Sequence, residues 1–187
     1  MDGSENTPKK NLPRLNREAY QGTAVVHWVF NIKNRKRGWL DDDFFLKFQL
    51  IALHAFSRYR IISPCICLMP DHIHFLLMGI SDSSDQKLAI PFLRKQLKPL
   101  LTQDYALQKT PYDHVLRRGQ RTRIEFSKMV NYIRGNPARS GLLRSEEESW
   151  PYECCLIPGY PELSLRQDDF RERFWRIYYY VLEKDPS

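Results

Sequence analysis

The chain has 187 residues, which is enough for one domain with appendages and a sizeable core, and too few for an eightfold β/α barrel. A composition that is 42% hydrophobic supports a globular fold rather than a disordered chain. The net charge of +7 favours a polyanionic partner. No signal peptide opens the sequence and no apolar run reaches the ~18 residues that cross a bilayer, so we expect a cytoplasmic protein without a membrane partner.

The first half of the chain predicts a polar arm followed by three strands and one helix. β-branched and aromatic residues mark the strands, and apolar residues at helical spacing mark the helix. A Pro-Asp turn after Met69 joins two apolar segments, which suits a hairpin. In chain order we predict a basic arm over 1–22, a strand over 23–32, a helix over 40–59, and strands over 60–68 and 72–79.

The second half predicts a short strand between two helices, and then a C-terminal helix. Pro91 and Pro99 must start, kink or interrupt the first helix, because proline removes a helical hydrogen bond. The second helix should end before Pro137, since a residue that precedes proline avoids helical geometry. In chain order we predict a helix over 86–106, a strand over 113–118, a helix over 122–135, loops over 138–166 and an amphipathic helix over 168–182.

This order of elements, β-α-β-β-α-β with a further helix, is the ferredoxin-like pattern. We therefore predict an α+β fold with an antiparallel sheet, helices on one face of that sheet and an extra C-terminal helix. The predicted domains are the arm over 1–22, a core domain over 23–144, and a loop with an amphipathic helix over 145–187 that packs on the core. The four cysteines lack zinc-knuckle spacing and are expected to be reduced thiols.

Two histidines on one strand are the first candidates for chemistry. His72 and His74 are separated by one residue, so alternation along a strand points both imidazoles to the same face. Two imidazoles on a rigid strand form half of a metal site. The competing interpretation is a pair of structural histidines whose nitrogens are satisfied by hydrogen bonds.

Tyr132 and Asn136 are the second candidates, one helical turn apart near the end of a predicted helix. A phenol has a pKa of about 10, so it attacks poorly unless its target is polarised. A divalent cation held by His72, His74 and the Asn136 side-chain carbonyl would polarise a phosphate. Nitrogen ligands favour zinc, whereas a mixed set with open positions accepts Mg²⁺ or Mn²⁺, and the sequence alone leaves both open. The competing interpretation is that Tyr132 only packs.

Three separated motifs resemble those of the REP-associated tyrosine transposases, members of the single-tyrosine HUH transposase superfamily. The chain has MPDHIH, NYIRGNPARSGLL and SWPY where that family has MPNHxH, YIxxNPxRAGLV and WPYSS, in the same order. The YDHVLRRG segment adds to the resemblance, which covers roughly residues 22–152. Departures are Asp71 in place of the usual Asn, Ser140 in place of Ala, and Cys154-Cys155 in place of serines.

The resemblance implies a ferredoxin-like core, bound Mg²⁺ or Mn²⁺, and cleavage of single-stranded DNA near a palindromic hairpin through a 5′-phosphotyrosine intermediate. Residue by residue, it gives His72 and His74 as metal ligands, Tyr132 as the nucleophile and Asn136 as a third ligand. The enzyme would be nucleoid-associated in the cytoplasm, and either a monomer or a homodimer. Two alternatives are a domesticated module that binds hairpin DNA without cutting it, and a different small metalloenzyme.

Basic side chains are concentrated around the candidate tyrosine and in the N-terminal third. Each could hold phosphates or read flanking bases, and for each the alternative is a solvated surface charge. The candidates for DNA contact are Arg14, Arg17, Arg35, Lys36, Arg37, Lys95, Arg117, Arg118, Arg121, Arg123, Arg134 and Arg139.

Overall fold

A five-stranded antiparallel sheet organises the part of the chain that the structure, a computed structural model, describes: residues 15–117, 119, 122–144 and 148–184. The strand order is β4-β1-β3-β2-β5, and every neighbouring pair is antiparallel. The strands are β1 (Val25–Asn31), β2 (Ile61–Met69), β3 (His72–Gly79), β4 (Tyr112–Leu116) and β5 (Glu153–Leu156).

Side-chain caps set the starts of three helices. Asp41, Asp85 and Thr122 each accept a hydrogen bond from the backbone N–H three residues ahead, at 2.7 to 3.2 Å, which satisfies an otherwise unpaired helical donor. The helices are α1 (Asp42–Arg58), α2 (Gln86–Leu97), α3 (Arg123–Arg134), the single turn α4 (Asn136–Arg139) and α5 (Phe170–Lys184).

Alternation along the strands produces two apolar cores, one on each face of the sheet. Trp28 of β1 and Phe75 of β3 belong to the first core, with α1 and α2. Leu76, the residue after Phe75, belongs to the second core with Phe126 of α3 and Phe174 of α5. Helices therefore cover both faces, and every side chain of β3 has a covered face to point into.

The predicted fold class is confirmed: the chain has an α+β architecture with a ferredoxin-like antiparallel sheet. The expectation that the helices lie on one face holds for α1 and α2 and needs correction for α3 and α5, which pack on the opposite face. The physical reason is that the second face is also apolar, and a sheet face lined with such residues as Leu76 and Met78 has to be buried.

Three local predictions also differ from the structure. Helix α2 ends at Leu97 instead of reaching residue 106, because Pro99 follows it in a short 3-10 turn. Strand β5 lies in the segment that was predicted to be loop, where Cys154 pairs with Ile66 of β2. Tyr20, at the end of the predicted arm, is 1% exposed and packs against Trp28.

The described residues also bear on membranes and on redox chemistry. No helix among them is long and apolar enough to cross a membrane. All four cysteines are free thiols, two on β2 and two on β5. Burial raises the pKa of each thiol, so the four remain protonated and unreactive near neutral pH.

Gly79, at the end of β3, packs closely against the N-terminal segment of the chain. A Cβ at this position would lie 1.9 Å from the carbonyl oxygen of Gly22. We expect Gly79→Ala to lower the free energy of unfolding by about 3 kcal/mol, as overpacking does. Chemical denaturation would measure it, with Gly119→Ala, which meets nothing within 4 Å, as the control. Equal stability of the two variants would contradict this packing.

Candidate metal and tyrosine site

The two candidate metal ligands lie side by side on β3, facing α3. Their Nε2 atoms are 2.9 Å apart. His74 is buried at 4% exposure, and the His72 side chain is largely covered at 15%. The turn before them is held in place, because the Trp39 indole N–H donates to the Pro70 carbonyl at 2.6 Å. The sequence prediction that both imidazoles share a face is confirmed by their contact.

The other ring nitrogen of each histidine also has a partner. Nδ1 of His72 lies 2.7 Å from a carboxylate oxygen of Asp71. Nδ1 of His74 lies 2.9 Å from Nε2 of His27, which is on the neighbouring strand β1. Asp71, His72, His74 and His27 thus form one continuous chain of contacts from the turn into the interior.

Burial holds the three imidazoles in the neutral form. Burial, with His114 and His72 as neighbouring charges, lowers the pKa of His27 to about 4. Burial, with His72 and His27 as neighbours, lowers the pKa of His74 to about 2. The pKa of His72 is also lowered by burial, against the opposing effect of Asp71. Neutral imidazole is the form that binds metal ions.

Asp71 remains ionised beside this chain. Its burial acts to raise the carboxyl pKa, but the hydrogen bond and charge of His72 and the guanidinium groups of Arg35 and Arg37 outweigh burial and lower it. The site therefore contains a fixed negative charge next to His72.

Tyr132 stands on α3 directly above the histidines. Its ring meets His74 and His27 edge-on, with ring centroids 6.2 and 5.9 Å apart respectively. Phe126, Val130 and Ile133 bury the other side of α3 in the second core, so Tyr132 is left 49% exposed at the margin of the helix. Tyr132 thus packs against His74 and His27 and also reaches solvent, where it can contact a ligand.

Asn136 and Arg139 follow Tyr132 on α4 and both bind the end of α3. The Asn136 amide nitrogen donates to the carbonyls of Tyr132 and Ile133 at 2.9 and 3.1 Å. The Arg139 guanidinium donates to the same Tyr132 carbonyl and lies 4.8 Å from the centroid of the Tyr132 ring. These contacts fix the helix end and place a positive charge against the phenol.

A cavity of about 190 Å³ opens beside Tyr132, between β4 and α3. Apolar and charged side chains share its wall, so it can receive a ligand that is partly apolar and partly polar. Its lining consists of His114, Leu116, Glu125, Lys128, Met129 and Tyr132.

Three of the predicted DNA-contact residues lie close to the histidines or the tyrosine. Arg139 stacks on Tyr132 as described, and Arg35 reaches Asp71 at 3.4 Å. Arg37 is near enough to act on the charges of His72 and Asp71. Arg35 follows Asn34, and both have left-handed backbone angles, with φ of 54° and 59°.

The structure does not bring the other described candidates to the histidine pair. Lys95 is on α2, which packs on the opposite face of the sheet. Lys36 pairs with Asp104 at 3.4 Å. The remaining placements are Arg17 in an ion pair with Asp85, Arg134 in one with Glu153, Arg123 over the ring of Trp175, and Arg117 just after β4. Arg14, Arg118 and Arg121 lie outside the described residues.

Sequence reasoning missed two members of this site. Nothing near His27 in the sequence points to His74, because their contact depends on the pairing of β1 with β3. Asp71 was noted only as a departure from a motif, although its position directly before His72 signals a carboxylate beside an imidazole. A polar His27 in the apolar run TAVVHWVF was the available signal for the first.

Comparison with known proteins bears on the fold. No family model and no curated protein matches the chain. A solved structure of a REP-associated tyrosine transposase bound to a REP hairpin matches it with a TM-score of 0.63, at 17% sequence identity. The match covers 76% of this chain and 82% of that chain. The two chains share one fold. At this identity the likeness concerns architecture, so the chemistry of the site has to be argued from its own residues.

The buried neutral histidines predict how stability depends on pH. The unfolded chain binds protons at these imidazoles below a pH of about 6.5, whereas the folded state holds the pKa of His27 near 4. The free energy of unfolding should have its full value above pH 6.5. It should fall as the pH drops towards 4, by about 1.4 kcal/mol per pH unit for each such histidine. Denaturant unfolding in EDTA would measure the slope. His27→Phe should reduce the slope by about 1.4 kcal/mol per pH unit, the share of one histidine, and an unchanged slope would contradict the burial of a neutral His27.

Proposed function

We propose that the chain is a metal-dependent single-stranded DNA endonuclease and strand transferase that acts through Tyr132 near palindromic hairpins. The observation that carries this proposal is the contact of the half-exposed Tyr132 ring with His74 of the His72/His74 pair. A phenol and a pair of neutral imidazoles in contact provide a nucleophile and cation ligands within one site. The shared fold with a transposase that binds a REP hairpin supports the choice of substrate.

In this proposal Nε2 of His72, Nε2 of His74 and the Asn136 amide oxygen would hold Mg²⁺ or Mn²⁺. The two Nε2 atoms lie 2.9 Å apart, so both could contact one cation. The Asn136 amide nitrogen is engaged by two carbonyls, which leaves its oxygen as the ligand atom. A bound cation would polarise the scissile phosphate as a Lewis acid.

Asn31 offers a second sign that this face suits a positive group. It lies directly across from His72 on β1, and alternation gives the two side chains the same face. Its amide oxygen is buried and has no hydrogen-bond donor among the described residues. A buried acceptor without a donor costs about 1–3 kcal/mol, and a cation or its bound water would satisfy it.

The proposed reaction is an in-line displacement at phosphorus. The Tyr132 oxygen forms a bond to the phosphorus as the bond to the 3′ oxygen breaks. The phenolic proton is lost to solvent and the departing 3′ oxygen takes up a proton, so the products are a 5′-phosphotyrosine and a free 3′-OH. Reversal by a 3′-OH rejoins the strand without ATP. Arg139, stacked on the Tyr132 ring, and Arg35, beside Asp71, supply positive charge for the phosphates on either side.

The nucleophile can be tested by its covalent product. We expect wild-type protein to form an adduct with labelled hairpin DNA that carries a single-stranded flank, and to need Mn²⁺ for it. Tyr132→Phe should abolish the adduct and leave hairpin affinity within about twofold, since the ring and its packing remain. Denaturing gels and binding titrations would measure both. Tyr180→Phe, an exposed tyrosine on α5, is the matched control.

Two outcomes would replace this proposal with another. Tight hairpin binding by wild-type protein with no adduct under any metal condition would favour a module that binds DNA without cutting. Metal-dependent turnover that persists in Tyr132→Phe and does not respond to DNA would favour a different metalloenzyme.

If a bound cation satisfies the Asn31 amide oxygen, Asn31→Leu should stabilise the protein without metal and weaken the stabilisation that metal gives. In EDTA, Asn31→Leu should raise the free energy of unfolding by about 1 kcal/mol, because it removes a buried acceptor for which the described part of the chain supplies no donor. With Mn²⁺ present, the wild-type Tm should rise as ligand binding stabilises the folded state, and the rise should be smaller in Asn31→Leu. Thermal unfolding would measure both effects. A Mn²⁺ shift of the same size in both proteins would remove Asn31 from the site.

A further inference from the structure

His72 and His74 are each held from behind at Nδ1. Asp71 contacts Nδ1 of His72 at 2.7 Å, and His27 contacts Nδ1 of His74 at 2.9 Å. The two Nε2 atoms therefore point towards each other and towards the space below Tyr132. The partner of His72 is thus a carboxylate, and the partner of His74 is an imidazole.

The two partners differ in what they impose on the ring they contact. A neutral imidazole carries a proton on one nitrogen and a lone pair on the other, so Nε2 can bind a cation only when Nδ1 carries the proton. An ionised carboxylate only accepts hydrogen bonds, so Asp71 keeps the proton of His72 on Nδ1. An imidazole both donates and accepts, so His27 permits either arrangement of His74.

We propose that His27 is a positioning residue for the cation site, switching from hydrogen-bond donor to acceptor when Nε2 of His74 binds the cation. This inference rests on the proposed function, because it requires the cation site described there. Without a cation, the contact between the two Nε2 atoms needs a proton on His74, and His27 then donates from Nε2 to Nδ1 of His74. With a cation, His74 carries its proton on Nδ1 and donates to His27.

The protons balance in this switch. His72 keeps its proton on Nδ1 throughout. His74 loses a proton at Nε2 and gains one at Nδ1, while His27 loses one at Nε2 and gains one at its own Nδ1. The three rings hold the same number of protons before and after, so the switch needs no charged imidazole in a buried site.

The surroundings of His27 suit a fixed partner for His74. His27 is 5% exposed, and its ring lies edge to edge with that of His74 and nearly in the same plane, with centroids 5.1 Å apart and an interplanar angle of 18°. The Tyr132 ring covers it edge-on at 5.9 Å. Because β3 lies beside β1 and α3 covers this face of the sheet, the His27 imidazole has little space to turn away from Nδ1 of His74.

Two substitutions separate the hydrogen bond from the packing. His27→Phe keeps a ring that fits beneath Tyr132 and removes both nitrogens. His27→Gln places an amide at a similar reach, and an amide can donate or accept. We expect Mn²⁺ affinity, measured by electron paramagnetic resonance in the absence of DNA, to fall 10–100-fold in His27→Phe and to recover in His27→Gln. His54→Phe, on the exposed side of α1, is the control.

Nitrogen NMR of the histidine rings provides a readout that a packing role would not change. In EDTA, wild-type His74 and His27 should carry their protons on Nε2, and saturating Mg²⁺ should move both protons to Nδ1. Unchanged tautomers on adding Mg²⁺, or unchanged Mn²⁺ affinity in His27→Phe, would overturn the proposal. Failure of wild-type protein to bind Mn²⁺ would overturn it together with the cation site.

The same measurements distinguish this inference from the proposed reaction, because they use no DNA. Cation binding that depends on His27, combined with a lack of any covalent adduct on hairpin DNA, would contradict the strand-transfer activity and leave the positioning role of His27 supported.

Discussion

Side-chain alternation on β3 divides this strand between two cores, and the geometry of the site depends on that division. Phe75 points into the core beneath α1 and α2, so His74 before it must point to the opposite face. That face is closed by α3, which is held against the sheet by Phe126 and, through it, by Phe174 of α5. Because both faces of the sheet are apolar and have to be buried, α3 packs on the second face and brings Tyr132 above the histidines.

Burial then determines the state of the histidines. An imidazole at the exposure of His74 loses most of its hydration, and this desolvation favours the neutral ring. Neutral rings need both nitrogens satisfied, and Asp71 and His27 supply the partners. The result is a preorganised pair of imidazole nitrogens on a rigid strand, with the Tyr132 ring from a different element above it.

Much of this arrangement could be predicted from the sequence. The spacing of His72 and His74 on a strand predicts that the two imidazoles share a face, and their contact confirms it. The resemblance of the motifs implies that Tyr132 lies near them, and the Tyr132 ring does contact His74, while the chemical roles of these residues stay predictions. His27 could not be found in this way, since only the pairing of β1 with β3 brings it to His74. Likewise the ion pairs of Arg17 and Arg134 are tertiary contacts that no local pattern signals.

The loop between β1 and α1 departs from ordinary backbone preferences at two consecutive positions. Asn34 tolerates a left-handed conformation because its short polar side chain can hydrogen-bond locally, but Arg35 has no such compensation and carries a penalty of about 1–2 kcal/mol. In this conformation the Arg35 guanidinium lies 3.4 Å from Asp71 and is near enough to act on the charge of His72. The loop therefore combines a strained backbone with a positive charge beside the histidine pair, and a glycine at position 35 would relax the first while removing the second.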